Sequence, residues 1–204
     1  MGVHDRLEPL RRLAGKGVYP PAFAWMLTLP VRRLILSPAV LADRLRLSPD
    51  DRVLEIGPGP GYFSVEVARR LRPGHLTLLD VQPEMLQKAR RRLSRSGVQD
   101  VTYVAGDAAA LPFPDASFDV VFLVTVLGEV VERERAAAEI SRVMAPGGRL
   151  SITEAAGDPD RLTPDDLAAL FGPVGFASAG SVGGRGGLTS TFVRSMGGAP
   201  SNGG

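Results

Sequence analysis

A glycine-rich turn between an apolar run and a helical stretch constrains the fold of this chain more than any other feature. Residues 53–61 read Val-Leu-Glu-Ile-Gly-Pro-Gly-Pro-Gly, and the pattern over 62–71 is typical of a helix. Glycine is needed where a strand turns abruptly into a helix, because the turn requires unusual backbone angles and because a ligand touching the main chain leaves no room for a Cβ. The sequence therefore predicts a strand–turn–helix unit whose turn contacts a ligand.

An acidic residue follows this turn at a distance that indicates a sugar contact. Asp80 ends the next apolar run, 75–79, nineteen residues beyond Gly61. A carboxylate at the end of the second strand of such a unit can accept hydrogen bonds from both hydroxyl groups of a ribose, and the helix N-terminus favours an anionic ligand group. Together these features predict a site for a nucleoside-containing cofactor.

Spacing separates three kinds of nucleotide ligand. A phosphate-binding P-loop ends in Gly-Lys followed by Ser or Thr, but Gly61 is followed by Tyr62. A dinucleotide-binding turn has the pattern G-x-G-x-x-G, whereas this turn has G-x-G-x-G, with Tyr62 where the third glycine would be. Nicotinamide and flavin dinucleotides become weaker candidates but stay open. The ligand with a ribose, an adenine and an amino-acid end but no pyrophosphate is S-adenosylmethionine.

Four motifs in order resemble those of the class I S-adenosylmethionine-dependent methyltransferases, over roughly residues 50–155 and more weakly to 195. They are the glycine-rich turn, Leu-Asp-Val-Gln-Pro-Glu-Met-Leu at 79–86, Gly-Asp-Ala at 106–108 with the segments that follow it to 121, and Arg-Val-Met-Ala-Pro-Gly-Gly-Arg-Leu at 142–150. One glycine-rich turn alone is weak evidence, whereas four ordered motifs are strong. Within the class the chain is most similar to the quinone-biosynthesis and phospholipid methyltransferases, which act on small or lipid-like molecules.

The resemblance implies an α/β fold: a Rossmann-like, doubly wound, seven-stranded and mostly parallel sheet with an antiparallel last strand, plus an N-terminal helical cap. Apolar runs that alternate with helix-period stretches are typical of such a sheet. The predicted strands are 52–57, 76–80, 101–105, 119–124 and 149–154, followed by a hairpin of 176–182 and 187–195. The predicted helices are 61–72, 83–95, 132–144 and a further one that begins near 163–166.

Length and charge favour one folded domain preceded by a basic segment. A chain of 204 residues suits a single core. We expect a helical, basic cap over residues 1–47, a cofactor-binding domain over 48–196 and a disordered tail over 197–204. The cap holds eight basic and three acidic residues, a net charge of +5 in a chain of +2. This excess could meet an anionic lipid or an acidic substrate, although solvated arginines are the commoner explanation.

The residue types that are missing exclude several kinds of chemistry. The chain has no cysteine, so thiol nucleophiles and thiolate metal sites are excluded, and cytosine-C5 and arsenic methylation, which use thiols in the enzymes known for them, are disfavoured. His4 and His75 are the two histidines, so no metal site is expected, and His75 begins a predicted strand at the end away from the ligand. The apolar stretch 18–31 is shorter than the ~20 residues of a membrane span. We expect a cytoplasmic protein.

The resemblance assigns cofactor contacts to the carboxyl ends of the strands, where open α/β sheets bind ligands. Asp80 would bind the ribose and Val81 the adenine face, while Asp107 would bind the adenine amino group or would instead be a turn aspartate. Glu55 would help to hold the methionine end of the cofactor, or would instead bond the backbone of the turn. The predicted cofactor-binding residues are Glu55, Gly57, Pro58, Gly59, Gly61, Asp80, Val81, Asp107, Ala108 and Val124.

Two carboxylates are the candidates for catalytic chemistry on the acceptor. Glu129 follows the fourth predicted strand and Glu154 ends the fifth, although Glu129 could instead serve the N-terminus of the next helix. Methyl transfer from a sulfonium depends mainly on alignment and exclusion of water, and a base is needed only when the acceptor loses a proton.

Missing motifs also reduce the number of acceptor classes that the sequence allows. The fourth strand lacks the Asn/Asp-Pro-Pro-aromatic motif of enzymes that methylate nucleic-acid amino groups, and no nucleic-acid-binding module is evident. We therefore predict a small-molecule or lipid-like acceptor and no nucleic acid. The apolar residues between 23 and 36, beside Arg32 and Arg33, are candidates for an acceptor pocket or for peripheral membrane contact, with core packing as the favoured alternative. A non-catalytic cofactor-binding subunit and a nicotinamide-dependent reductase remain as rival functions, and the sequence indicates no oligomeric state.

Overall fold

The fold is seen in a computed structural model, which describes residues 36–156, 158, 160–184 and 186–196. Its strands are β1 (Arg52–Ile56), β2 (His75–Asp80), β3 (Val101–Ala105), β4 (Phe118–Val124), β5 (Met144–Ala155), β6 (Phe176–Gly184) and β7 (Gly187–Arg194). Its helices are α1 (Pro38–Leu45), α2 (Ser64–Arg70), α3 (Pro83–Arg95), α4 (Arg133–Val143) and α5 (Pro164–Phe171), with short 3-10 turns at Leu127–Glu129 and Gly172–Val174.

The strands form one sheet in the order β3-β2-β1-β4-β5-β7-β6. Strands β1 to β5 are parallel to their neighbours, and β7 runs antiparallel to both β5 and β6. The strand order reverses between β1 and β4, and ligands bind such sheets at this point, beyond the carboxyl ends of the strands. The predicted doubly wound sheet with an antiparallel last strand is confirmed.

The central strand β1 is buried on both faces. Its residues 53–56 are all buried, and only Arg52 at its start is exposed. A parallel strand covered by helices on both sides shows a continuous apolar run instead of an alternation. Glu55 interrupts this run, and a carboxylate in such a position is costly unless it has a partner.

Helices cover the two faces of the sheet. Helices α1, α2 and α3 pack on one face, in a cluster that includes Leu41, Val67, Leu78, Leu93 and Phe122. Helices α4 and α5 pack on the other, in a cluster that includes Leu54, Leu123, Ile140, Phe171 and Phe192. Successive residues of a strand point into different clusters, so both layers are fixed by the same strands.

The elements after β5 agree with the predictions from the sequence. Thr163 caps α5: its Oγ1 accepts a hydrogen bond from the N–H of Asp166 at 3.2 Å, and the Asp166 carboxylate accepts one from the N–H of Thr163 at 2.9 Å. Such a capping box satisfies two N–H groups that have no partner within the helix. The predicted closing hairpin is the antiparallel pair β6 and β7.

Two predicted helix boundaries are wrong. The helix predicted over 61–72 begins at Ser64, because residues 59–63 form a turn, and it ends at Arg70. The helix predicted to end at 144 ends at Val143, and β5 begins at Met144 instead of 149. Met144 pairs with Phe118 before a shift in register, so the Pro-Gly-Gly sequence at 146–148 lies in an irregular part of a strand.

The predicted N-terminal cap is described only from residue 36. Helix α1 packs Leu41 and Leu45 into the same cluster as β1, and Arg70 of α2 donates a hydrogen bond to Asp43 at 2.5 Å. Residues 1–35 and 197–204, which include His4, the apolar stretch and the predicted tail, lie outside the described residues. Among the helices that are described, none has the length and apolar character needed to cross a membrane.

Candidate active site

The turn after β1 has backbone angles that favour glycine. Gly57, Gly59 and Gly61 have φ of +68°, +52° and +73°, in the left-handed region. The N–H of Gly57 donates to the carbonyl of Leu79 at 2.8 Å, and the N–H of Gly61 donates to the carbonyl of the buried Pro58 at 3.0 Å. The turn is therefore bonded both within itself and to the end of β2.

Gly57 lies against the segment that follows β4. A Cβ built on Gly57 would be 2.4 Å from Cγ2 of Val126, which is closer than real contacts allow. Together with its positive φ, this contact requires glycine at 57. The ends of β1 and β4 thus meet closely at the point where the strand order reverses.

Gly61 faces helix α3. A Cβ at this position would be 3.0 Å from Cα of Ala89 and from Cδ1 of Leu93. The absence of a side chain lets α3 approach the turn. The structure therefore gives Gly61 a packing function.

Asp80 lies at the end of β2 and against the turn. The residue is 8% exposed, its Oδ1 accepts a hydrogen bond from the N–H of Gln82 at 2.9 Å, and the N–H of Gly59 lies near enough to its carboxylate to stabilise the charge. Burial raises the pKa of Asp80, and the two N–H groups oppose that rise. The structure thus brings the predicted ribose acceptor and the predicted turn together.

Glu55 is the second buried acid of this region, at 2% exposure. Its Oε2 accepts a hydrogen bond from Oγ of Ser64 at 2.5 Å, so its partner among the described residues is a side chain of α2 and not the backbone of the turn. Burial raises the pKa of Glu55 to about 8, the charge of Asp80 raises it further, and the bond from Ser64 opposes the rise.

The predicted adenine contacts lie at the ends of β2 and β3. The N–H of Gly106 donates to the carbonyl of Asp80 at 3.1 Å, which joins the two strand ends. Asp107 is exposed, and its Oδ1 accepts a backbone N–H two residues later at 2.9 Å, while Ala108 is buried. Val81 is 54% exposed and offers an apolar surface directly beside the buried Asp80.

The end of β4 leads into a tight turn. Val124 is half-buried, and Thr125, with φ +55°, donates its N–H to the carbonyl of Thr153 on β5 at 2.8 Å. The 3-10 turn Leu127–Glu129 follows, with the side chain of Glu129 exposed. Glu129 thus lies beyond β4, three residues after Val126 in the chain.

Glu154 lies near the end of β5 and is 4% exposed. Its Oε1 is buried and has no hydrogen-bond partner within the described part of the chain. Burial raises the pKa of Glu154 to about 7, with Asp158 adding to the rise and Arg133 opposing it. Buried polar atoms are almost always hydrogen-bonded, so this oxygen is suited to a donor group on a ligand.

The remaining histidine of the described chain is remote from this site. His75 is the first residue of β2, and its Nε2 is 2.8 Å from Oγ1 of Thr102 near the start of β3. It therefore lies at the amino ends of the strands, as the sequence predicted.

Residues 54–152 match the family model described as a methyltransferase domain. These residues are a methyltransferase domain. The match runs from β1 into β5 and includes the glycine-rich turn, Asp80, Asp107 and the end of β4. The resemblance to the class I methyltransferase family is thereby confirmed.

The proteins with similar sequences are longer than the part of them that this chain matches. The chain is 31% identical over 149 residues to an arsenite methyltransferase of Halobacterium salinarum, which covers 64% of this chain and 38% of that protein. It is 38% identical over 108 residues to a ubiquinone/menaquinone biosynthesis C-methyltransferase of Vibrio vulnificus, which covers 52% of this chain and 42% of that protein. The chain thus spans about two fifths of the length of these curated relatives.

Solved structures share the fold. An S-adenosylmethionine-dependent methyltransferase from Aquifex aeolicus superposes with a TM-score of 0.81 at 20% identity, over 87% of this chain and all of that one. The cyclase SpnF superposes with a TM-score of 0.70 at 23% identity, over 81% of each chain. At this level of identity the likeness establishes the architecture and not the chemistry.

The charge of this site suits S-adenosylmethionine. Gly57 and Gly59 of the glycine-rich turn are partly exposed, and Asp80 and Val81 offer a polar and an apolar contact next to each other. Asp80 is a buried acid whose surroundings favour a ligand that carries positive charge, and such a ligand would also favour the carboxylate form of Glu55 on the neighbouring strand. The sulfonium and ammonium groups supply such charge, whereas a dinucleotide pyrophosphate would bring negative charge to the same region.

Sequence reasoning did not single out four residues of the site. Ser64 is the partner of Glu55, Val126 packs on Gly57, and Arg133 donates hydrogen bonds to the turn after β4. The hydroxyl of Tyr62 is buried without a hydrogen-bond partner among the described residues. A hydroxyl residue just after the glycine-rich turn was a usable signal for Ser64, but nothing in the sequence links Val126 to Gly57.

Proposed function

We propose that this chain is an S-adenosylmethionine-dependent methyltransferase that acts on a small-molecule or lipid-like acceptor. The observation that carries the proposal is the contact between the two predicted halves of the donor site: the N–H of Gly57 in the glycine-rich turn donates to the carbonyl of Leu79 at 2.8 Å, directly before the buried Asp80. The sequence separates these residues by a whole helix, and the fold joins them at the point where ligands bind doubly wound sheets.

The donor would be held by residues at the ends of β1, β2 and β3. Asp80 would accept the ribose hydroxyl groups, Val81 would lie against the adenine, and Asp107 with the backbone of Ala108 would bind the adenine edge. Gly57, Pro58 and Gly59 would line the methionine end, and Glu55, hydrogen-bonded to Ser64, would lie beneath it as an acid whose carboxylate form is favoured when the cationic ligand binds. Gly61 would act through its packing on α3, and Val124 would close the site from β4.

The acceptor would meet the donor near the ends of β4 and β5. When bound, the sulfonium supplies a methyl group whose bond to sulfur breaks as an electron pair of the acceptor forms the new bond, leaving a neutral thioether. The chain itself would align the two molecules and exclude water, which supplies much of the rate in such a displacement. Where the acceptor releases a proton, Glu154 would receive it at its unpartnered Oε1, since a pKa of about 7 suits a general base near neutral pH. Glu129 is the alternative base on the same side.

The acceptor class follows from relatives and from composition. Relatives of 35–38% identity are named for quinone biosynthesis, and one of 31% is named for arsenite. This chain has no cysteine, so we propose the apolar organic class over a thiol-dependent arsenic reaction. Peripheral contact of residues 1–35 with a membrane would suit such an acceptor and is part of the proposal.

Calorimetric titration and label transfer test the proposal together. We expect S-adenosylhomocysteine to bind the full chain with micromolar affinity, and NADH and NADPH to show no binding at the same concentrations. We also expect tritium from methyl-labelled S-adenosylmethionine to appear in the solvent-extractable fraction of a mixture containing a quinol with an unsubstituted ring position. Binding of NADPH in place of S-adenosylhomocysteine would support the reductase. Donor binding without label transfer to quinol, phospholipid or total small-molecule extracts would support the non-catalytic subunit.

A further inference from the structure

Arg133 is the first residue of α4, and its side chain turns back toward the end of β4. Its Nε donates a hydrogen bond to the carbonyl of Leu127 at 3.1 Å, and its Nη2 donates one to the carbonyl of Gly128 at 2.6 Å. Both carbonyls belong to the 3-10 turn that carries Glu129. One guanidinium therefore fixes this turn from the helix that follows it, with charge-assisted bonds that are stronger than neutral ones.

The same turn is fixed from a second side by the connection between β5 and α5. A Cβ built on Gly128 would be 2.4 Å from the carbonyl oxygen of Asp160, so the two segments are in direct contact. Within the connection, the N–H of Asp160 donates to Oδ1 of Asp158 at 3.0 Å. The ends of β4 and β5 and the start of α4 thus form one packed unit.

Glu154 is the buried acid of this unit, and its charged neighbours lie on different elements. Asp158 in the connection and Arg133 on α4 act on it with opposite sign, while Arg133 also acts on Asp166 of α5. Glu129 lies on the turn that Arg133 holds. Arg133 therefore supplies positive charge among several carboxylates and contacts the backbone at the same time.

We propose that Arg133 is a positioning residue of the acceptor side: its two hydrogen bonds hold the turn after β4 next to the end of β5, where the buried Oε1 of Glu154 is available to a hydrogen-bond donor of the acceptor. The acceptor class that follows is one that presents a hydroxyl or amino group next to the atom that is methylated. This inference rests on the proposed function, because it assigns the ends of β4 and β5 to the acceptor.

The test compares Arg133→Met and Arg133→Lys with Arg135→Met in the full chain. Arg135 is on the same helix, and its exposed side chain pairs with Glu132, so its loss removes one charge without touching the turn. The titration of Glu154 would be followed by carbon-13 NMR of its carboxyl group, assigned through Glu154→Gln. The position of the turn would be followed by the amide shifts of residues 126–130.

We expect Arg133→Met to shift the amide signals of the turn and to raise the titration midpoint of Glu154, because it removes both the bonds and a positive charge. Arg133→Lys should keep the midpoint close to that of the wild type, since the charge remains, and should still shift the turn signals. Arg135→Met should change neither. Amide signals of the turn that are unchanged in both the Arg133→Met and the Arg135→Met chains would overturn the proposal.

Should Arg133→Met fail to fold, the lysine variant alone decides: unchanged turn signals in a folded Arg133→Lys chain would contradict the positioning function. The affinity for S-adenosylhomocysteine separates this inference from the proposed function. We expect all folded variants to bind it within twofold of the wild type. A wild-type chain that binds none would refute the methyltransferase while leaving the titration result intact, and a variant that loses only donor affinity would move Arg133 to the donor side.

Discussion

The donor half and the acceptor half of the site, at the ends of β1–β2 and of β4–β5, satisfy their buried acids in different ways. Asp80 accepts a hydrogen bond from the N–H of Gln82, and Glu55 accepts one from Ser64. Glu154 keeps one carboxyl oxygen with no partner in the described chain. The buried acids of the donor half are therefore hydrogen-bonded in the folded chain, whereas the acid of the proposed acceptor half has an oxygen left for a donor group of a ligand.

The two halves also differ in how far apart along the chain their residues lie. The donor half is built by a turn and by the strand that follows it, so local sequence determines it. The acceptor half joins a turn after β4, a helix start and the connection after β5, and its fit depends on contacts such as that of Gly128 with Asp160. A short motif can therefore reveal what the donor half binds, but the acceptor half has no comparable signature.

The largest effect is expected on donor affinity from Asp80→Ala. The change removes the proposed acceptor of the ribose hydroxyl groups, and hydrogen bonds to charged groups contribute about 1.5–3 kcal/mol each. The affinity for S-adenosylhomocysteine, measured by calorimetry, should fall by about a hundredfold. Asp100→Ala, whose side chain is 95% exposed near the amino ends of the strands, should leave it unchanged. Equal losses of affinity in the two variants would contradict the assignment of the donor site to the carboxyl ends of the strands.

A second comparison uses two glycines with the same backbone angle. Gly61 and Gly97 have φ of +73° and +75°, but only the Cβ of an alanine at 61 would meet Ala89 and Leu93, while nothing lies within 4 Å at 97. Both substitutions incur the cost of a positive φ, about 1 kcal/mol, and Gly61→Ala adds overpacking of about 1–3 kcal/mol. Urea unfolding should show the larger loss of stability for Gly61→Ala. Equal losses would mean that α3 does not depend on close approach to the turn.

The same difference between local and distant contacts explains how much of the molecule could be predicted from the sequence. The positions of the strands, the glycine-rich turn and Asp80 follow from local patterns, since apolar runs and turn residues are read within ten positions, whereas the sheet architecture was implied by the family resemblance. The start of α2 at Ser64 was missed because the turn takes up residues 59–63 before the helix begins. The start of β5 at Met144 was missed because a Pro-Gly-Gly sequence favours a loop, and only pairing with Phe118 draws it into the sheet. Val126 acts through a contact with Gly57, which is distant in sequence, whereas Arg133 bonds a turn five and six residues before it through a side-chain direction that sequence patterns do not specify.

The substitution Glu55→Gln tests the donor half through the pH dependence of the free energy of unfolding. The pKa of Glu55 is about 8 in the folded chain and near 4.5 when it is unfolded, so the folded state holds a proton that the unfolded chain has released. The contribution of Glu55 to the free energy of unfolding is therefore highest below pH 4.5 and is lost as the pH rises through about 8, with a slope of about 1.4 kcal/mol per pH unit. The stability difference between wild type and variant, from urea unfolding at pH 5 to 9, should fall with this slope up to about pH 8 and level off above it. A difference that does not vary with pH would show that Glu55 stays ionised on folding.

The smallest effect is expected from Ser64→Ala. Removing the hydroxyl that bonds Glu55 should cost about 1 kcal/mol at pH 6 and more at pH 9, where the carboxylate form predominates and its hydrogen bond is stronger. Ser141→Ala, which removes a hydroxyl that donates to the carbonyl of Val174, should cost the same at both pH values. A cost of Ser64→Ala that is equal at pH 6 and 9 would contradict the bond to a titrating carboxyl.

A crystal structure of the full chain with S-adenosylhomocysteine tests the central claim most directly. The account predicts both ribose hydroxyl groups at hydrogen-bond distance, about 2.6–3.2 Å, from the Asp80 carboxylate, with the adenine against Val81 and the amino-acid end at Gly57. Density for the ligand away from the glycine-rich turn, or an Asp80 carboxylate that makes no contact with it, would contradict the account.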